Sequence, residues 1–184
     1  MKKIRIGISA CLLGHAVRYD GGHKWDHDMT EALKHYVDWI PVCPEVEYGL
    51  PVPREPMRLV GDPATPRLVT VVTGIDHTEG MSQWAKARLK ALEKDDLCGF
   101  VFKSKSPSSG MSDVKVYETA TETPGTPFRN GSGIFAKAFM DHFPRIPVAD
   151  EERLNDHILL DRFIEQIFAY SRWQQLIKQR GITS

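Results

Sequence analysis

The sequence predicts an α/β fold: a mainly parallel sheet with flanking helices, Rossmann-like, plus C-terminal helices. Three observations predict it. Short apolar runs such as "IRIGISA" and "GFVFK" read as buried strands. These alternate with helical stretches in the order βαβ…βαβ…αα. The last part of the chain, 151–180, is mostly helical in its spacing. Residues 1–184 are expected to form one domain, with 134–180 as a mainly helical C-terminal extension packed on it.

Each element follows from its local chemistry. Ile4 to Ala10 alternates apolar and small residues and runs into Cys11. Gly14 to Asp28 is polar, aromatic and Gly-rich without a period, and reads as a loop. Met29 to Val37 is a short helix, with Asp28 as N-cap and Glu31 at the capping-box position. Asp38 to Pro44 is a second strand, again ending at a cysteine. Glu45 to Pro66 carries Pro51, Pro53, Pro56, Pro63 and Pro66, which argues against regular helix or a central strand. Arg67 to Gly74 is β-branched and strand-like. His77 to Asp96 places Met81, Trp84, Ala85, Leu89 and Leu92 at helical spacing. Gly99 to Lys103 is a buried strand entering "SKSPSSG", and Asp113 to Glu118 a short one. Thr119 to Gly133 is turn-rich and expected to be mobile. Ile134 to Phe143 is a helix stopped by Pro144. In the tail, Leu159, Phe163, Ile167, Tyr170 and Leu176 define one apolar face.

Composition bounds the function. Lys+Arg and Asp+Glu are both 24, so the formal net charge is zero, which weighs against broad nucleic-acid binding. No apolar run approaches the 18 or more residues of a membrane span. The start "MKKIRIGISACLLG" mimics a charged signal n-region, but Arg5 interrupts its short apolar part, and a cytoplasmic location is expected. There is no GxGxxG, Walker A or GxSxG motif, and the seven histidines show no HExxH spacing.

The three cysteines, Cys11, Cys43 and Cys98, are poor disulfide material. By count alone they read as buried small hydrophobes. Cys11 and Cys43, however, each sit where a predicted strand ends, and neighbouring strand ends lie about 5 Å apart. Two thiols there can share one metal or cluster, although their spacing matches no standard zinc or ferredoxin signature. Parallel sheets bind ligands in the loops beyond their carboxyl ends. Three loops qualify: Cys11 to Gly22, Cys43 to Arg58, and Ser104 to Gly110. Glu45, two residues after Cys43, is a candidate general acid or base. Arg54 and Arg58 either hold a polar ligand or pair with Glu47 and Glu55. Arg18, Tyr19 and Asp20 form a polar run beside Cys11.

The motifs "ISACLLG…VRYDGG", "PVCPEVEYGLPVPREPMRLV" and "FKSKSPSSGM…VKVY" together resemble the bacterial thiouracil desulfidase family, from Ile4 to about Leu176. The resemblance implies a [4Fe–4S] cluster held by three cysteines, with a fourth iron open to the sulfur of a substrate. It implies non-redox desulfuration of a thiolated pyrimidine, water replacing sulfur. Cys11 and Cys43 match family ligands and Glu45 the acid/base. Ser106, Ser108 and Ser109, with Arg18, Tyr19, Asp20 and Arg54, are expected around the substrate, and Ser109 is also a candidate catalytic group. The expected partner is a small thiopyrimidine. Some longer relatives act on 4-thiouridine in tRNA, which the neutral charge does not favour here.

The sequence departs from the family at Ser109, where relatives carry a cysteine. Cys98 is the remaining thiol and is expected to complete the site. Against this, an ordinary strand over 99–103 puts Cys98 roughly 17 Å from the loop. Ligation by Ser109, an outside ligand, and a cluster-free small-molecule or nucleic-acid binding module are the alternatives.

Overall fold

The computed structural model describes residues 3–118 and 127–180. Two four-stranded sheets organise them. The first contains β1 (Ile4–Ser9), β2 (Val37–Val42), β5 (Gly99–Phe102) and β8 (Val148–Asp150), in the order β2-β1-β5-β8. All its pairings are parallel. The second contains β3 (Met57–Val60), β4 (Arg67–Thr70), β6 (Val114–Tyr117) and β7 (Phe128–Gly131), in the order β4-β3-β6-β7. It is mixed: β3 runs antiparallel to β4 and parallel to β6.

The period of two in β1 sends Ile4, Ile6 and Ile8 to one face of the first sheet. There they bury against Met29 and Leu33 of α1 (His27–Leu33) and Phe163 and Ile167 of α6 (His157–Gln179). The other face carries Phe100 and Phe102 of β5. They pack with Ala85, Leu89 and Leu92 of α3 (Thr78–Leu92) and Phe135 and Phe139 of α4 (Ile134–His142). The Phe100 and Phe102 rings stack with centroids 4.3 Å apart. Gly7 is the small residue this layer requires, because a β-carbon there would lie 2.2 Å from Phe100 Cδ2. Gly7→Ala is expected to cost about 1–3 kcal/mol by overpacking, read as a lowered urea midpoint with an unchanged slope.

Several sequence expectations are corrected. The proline-rich stretch is not wholly irregular: it holds α2 (Pro44–Tyr48) and β3, an interior strand of the second sheet. Its prolines flank β3 and leave Met57–Val60 free of them. Pro41 does lie inside a strand, but β2 is the sheet's edge, where a missing N–H is tolerated. The first helix starts earlier than expected, with Asp26, not Asp28, accepting the Met29 amide. In α6 the buried stripe is Phe163, Ile167 and Ser171, while Leu159 and Leu176 are exposed. Residues 134–180 also supply β8 and the short α5 (Glu151–Leu154). The turn-rich stretch 119–133 lies in part outside the described residues; its described end forms β7. Among the described residues no helix is long and apolar enough to cross a membrane.

Candidate active site

The first sheet's register aligns four carboxyl ends. Ser9 pairs with Val42, Ile8 with Val101, and Phe102 with Asp150. The residues just beyond three of them, the ends of β1, β2 and β5, surround one cavity of about 330 Å³. That volume lies at the low end of ordinary small-ligand pockets, about 300–1,000 Å³.

Beyond β1, a 3-10 turn at Ala10–Leu13 buries Cys11. Gly14, at φ 86°, closes the turn in the left-handed region that glycine enters without strain. The loop then folds back, and the Lys24 amide donates to the Cys11 carbonyl at 2.9 Å. Beyond β2, Cys43 is the N-cap of α2 and Pro44 occupies the first turn, where its missing N–H costs nothing. The Cys43 amide donates to Glu47 Oε1 at 3.0 Å. This tight start brings Glu45 Oε2 to 3.6 Å from Cys43 Sγ.

Besides Cys43, two side chains hold Glu45. Its Oε1 accepts from Ser108 Oγ at 2.6 Å. Its Oε2 lies 3.8 Å from Arg54 Nη2, whose side chain is almost wholly buried. Arg54 Nη2 also donates to the Val17 carbonyl at 2.9 Å, and its amide to the Tyr19 carbonyl at 2.8 Å.

Beyond β5, the serine loop is fixed by its own backbone and by α4. The Gly110 amide donates to the Ser106 carbonyl at 2.8 Å, and the Ser109 amide to Ser106 Oγ at 3.1 Å. Phe135 and Ala136, in the first turn of α4, donate their amides to the Ser108 carbonyl. Gly133 permits this docking, since a β-carbon there would come within 2.5 Å of the Ser108 carbonyl oxygen.

A family model described as 2-thiouracil desulfurase matches residues 6–151. The chain belongs to this family. The uncharacterized protein YbbK of Bacillus subtilis (strain 168) is 30% identical over 116 residues, covering 58% of this chain and 74% of YbbK. A solved structure of the [4Fe-4S]-dependent thiouracil desulfidase TudS superposes with a TM-score of 0.68 at 30% identity, covering 92% of this chain and 99% of that one. A cluster-free binding module is not favoured for a 2-thiouracil desulfurase family member.

Of the residues expected at this desulfurase site, Cys11, Cys43, Glu45, Arg18, Tyr19, Arg54, Ser106 and Ser109 all line the cavity. Ser108 is buried behind it and reaches it through Glu45. Asp20 is not among the lining residues. Its Oδ1 caps the Gly22 amide at 3.0 Å and lies 3.5 Å from Arg18 Nε, so it shapes the loop. The Gly22 hydrogen bond holds its carboxyl below the usual range. Arg58 stacks over Tyr117, and neither expected Arg–Glu pairing forms for Glu47 or Glu55. Glu47 pairs with Arg88, while Glu55 accepts from the Val72 and Thr73 amides.

Cys98 is the clear departure. It precedes β5, and Gly99 pairs with Ile6, so the thiol stands at the amino end of the sheet. A strand of this length separates it from the cavity mouth by about 13 Å. Its Sγ lies 3.3 Å from Gln174 Oε1 on α6, and the Cys98 amide donates to the Arg5 carbonyl. The expectation that Cys98 joins Cys11 and Cys43 is therefore not met by the geometry.

Burial pushes the Cys11 thiol up to about 11, with the Lys103 ammonium opposing it. Burial, and then the Glu45 charge, pushes Cys43 up to about 12. Both are neutral at pH 7 until a cation in the cavity favours the thiolate.

Two further residues matter that spacing does not reveal. Lys103 lines the cavity and is paired with Glu151, the first residue of α5. Glu151 also accepts from the Ser104 amide at 2.8 Å and from Ser104 Oγ at 2.7 Å. The two are far apart in sequence, and only the β5–β8 pairing joins them. Because the pair is mostly buried, Glu151→Ala strands the Lys103 charge. It is expected to lower unfolding stability by about 3 kcal/mol in urea titration.

Proposed function

We propose that this chain is a thiouracil desulfidase that replaces the thiocarbonyl sulfur of a thiolated pyrimidine with oxygen from water. Family membership supports the reaction class. The observation that carries it to these residues is the convergence of Cys11, Cys43 and Glu45 on one cavity at the carboxyl end of the parallel sheet. The balanced reaction takes one thiopyrimidine and one water to one pyrimidine and one hydrogen sulfide.

The donor chemistry of the cavity fits an iron–sulfur cluster. Thiolates are the soft donors such clusters use, and Cys11 and Cys43 emerge from adjacent strand ends. A [4Fe–4S] cluster bound there supplies a Lewis-acidic iron for the soft thiocarbonyl sulfur.

The chain's own residues supply the rest. Glu45 takes a proton from the attacking water. Ser108 fixes one of its oxygens, and Arg54 places a positive charge beside the other. Tyr19 and Arg18 also line the cavity beside Arg54, with the Arg18 guanidinium 5.4 Å from the Tyr19 ring centre. Lys103 also lines the cavity, its ammonium held in place by Glu151 and by the Ser104 carbonyl and hydroxyl. A small free pyrimidine suits the cavity volume, and the zero net charge disfavours tRNA.

The test is anaerobic reconstitution with iron and sulfide, followed by incubation with 2-thiouracil. Uracil and sulfide are expected in equal amounts. A folded, iron-loaded chain that forms neither from 2-thiouracil or 4-thiouracil would overturn the assignment.

A further inference from the structure

We infer that the Ser109 side-chain oxygen is the third protein ligand of the cluster, so that the site is built from two thiolates and one oxygen. The inference rests on the cluster reading above. Three loops, after β2, β1 and β5, converge on the cavity, and these strands are consecutive neighbours in the sheet. Two of the loops bring Cys11 and Cys43. The third brings Ser109, which is buried and lines the same cavity.

Other donors are accounted for. Cys98 stands at the opposite end of the sheet against Gln174. Among the described residues no three His, Cys, Asp or Glu side chains group as metal ligands, so a third donor comes from another residue type. Ser9 Oγ accepts the Lys103 amide, Ser104 Oγ donates to Glu151, and Ser106 Oγ accepts the Ser109 amide. Ser108 Oγ is committed to Glu45. Ser109 Oγ, by contrast, has one hydrogen-bond partner among the described residues, Ser108 Oγ at a long 3.4 Å.

Ligation as an alkoxide releases one proton and forms one iron–oxygen bond. A path for the proton is in place, from Ser109 Oγ to Ser108 Oγ and on to Glu45 Oε1. An oxygen donor is harder than a thiolate and suits iron–sulfur chemistry less well. The cluster is therefore held less firmly here than three thiolates would hold it.

The experiment compares wild type, Ser109→Ala, Ser109→Cys and Cys98→Ser after anaerobic reconstitution, with folding checked by circular dichroism. It reads iron and acid-labile sulfide per chain, iron loss to a chelator, and the electron paramagnetic resonance of the reduced cluster. About four iron per chain is expected in wild type and Cys98→Ser. Ser109→Ala is expected to lose iron about tenfold faster than wild type, and Ser109→Cys about tenfold slower with a changed resonance. Loss of the cluster in Cys98→Ser overturns the inference, as does a cluster indifferent to all changes at position 109. If wild type still releases sulfide from 2-thiouracil in that second case, only the ligand is wrong. A folded wild type that takes up no iron removes the cluster reading and the ligand together.

Discussion

Cys11→Ala and Cys43→Ala are each expected to abolish sulfide release from 2-thiouracil, while Cys98→Ser leaves it within about twofold of wild type. The contrast follows from placement. Cys11 and Cys43 lie just beyond adjacent parallel strand ends and line one cavity. Removing either takes away one of two soft donors, and no neighbouring side chain of that chemistry replaces it. Cys98 packs in the apolar layer between β1 and α6, and serine can keep a hydrogen bond to Gln174. Iron per chain should track activity across the three variants. The cavity thiols also set a pH dependence. With Cys11 near 11 and Cys43 near 12, each must lose a proton to ligate, so raising the pH favours loading. Apparent iron affinity in the metal-free chain is therefore expected to rise from pH 7 to pH 9. An affinity that falls over this interval would contradict the assignment.

Glu45→Gln is expected to lower the turnover number by about 10²–10⁴-fold while leaving iron content unchanged. Glutamine keeps the size of the side chain and can still accept from Ser108. It cannot take a proton from water, and it leaves the Arg54 charge unmatched in a buried place. A loss of iron alongside activity would instead make Glu45 a support of the cluster loops. Unchanged turnover would remove it from the proton path.

Three strands of the first sheet, β1, β2 and β5, are legible as short apolar runs, while the three-residue β8 is too short to stand out from the helical stretch that holds it. Cys11 and Cys43 mark where two of those runs stop, so the site's location followed from the topology rule for parallel sheets. The second sheet is legible only in part: Arg67 to Gly74 and Asp113 to Glu118 read as the strands that become β4 and β6, but β3 between them does not. Pro51 to Pro66 masks β3, although the prolines sit in the turns on either side of it. Glu45 is legible from its place two residues after Cys43. Glu151 and Gly133 are not legible, because each acts on a loop far away in sequence through a pairing that only the folded chain creates. Cys98 shows the limit of counting: three thiols match three ligand positions in number, but the strand direction places one of them at the opposite end of the sheet from the cavity.

The wide separation of the cavity donors has a consequence for how the enzyme matures. Residues 11, 43 and 109 meet only after β1, β2 and β5 have paired and the Gly133 end of α4 has docked on the serine loop. In an unfolded chain, gathering them closes long loops against entropy. A ferredoxin-type run of closely spaced cysteines, or a zinc finger, can capture metal while still unstructured. This chain cannot begin that way. Its cofactor is a late arrival at a finished receptor, so the freshly made apoprotein should already unfold cooperatively in urea and accept iron without first being denatured.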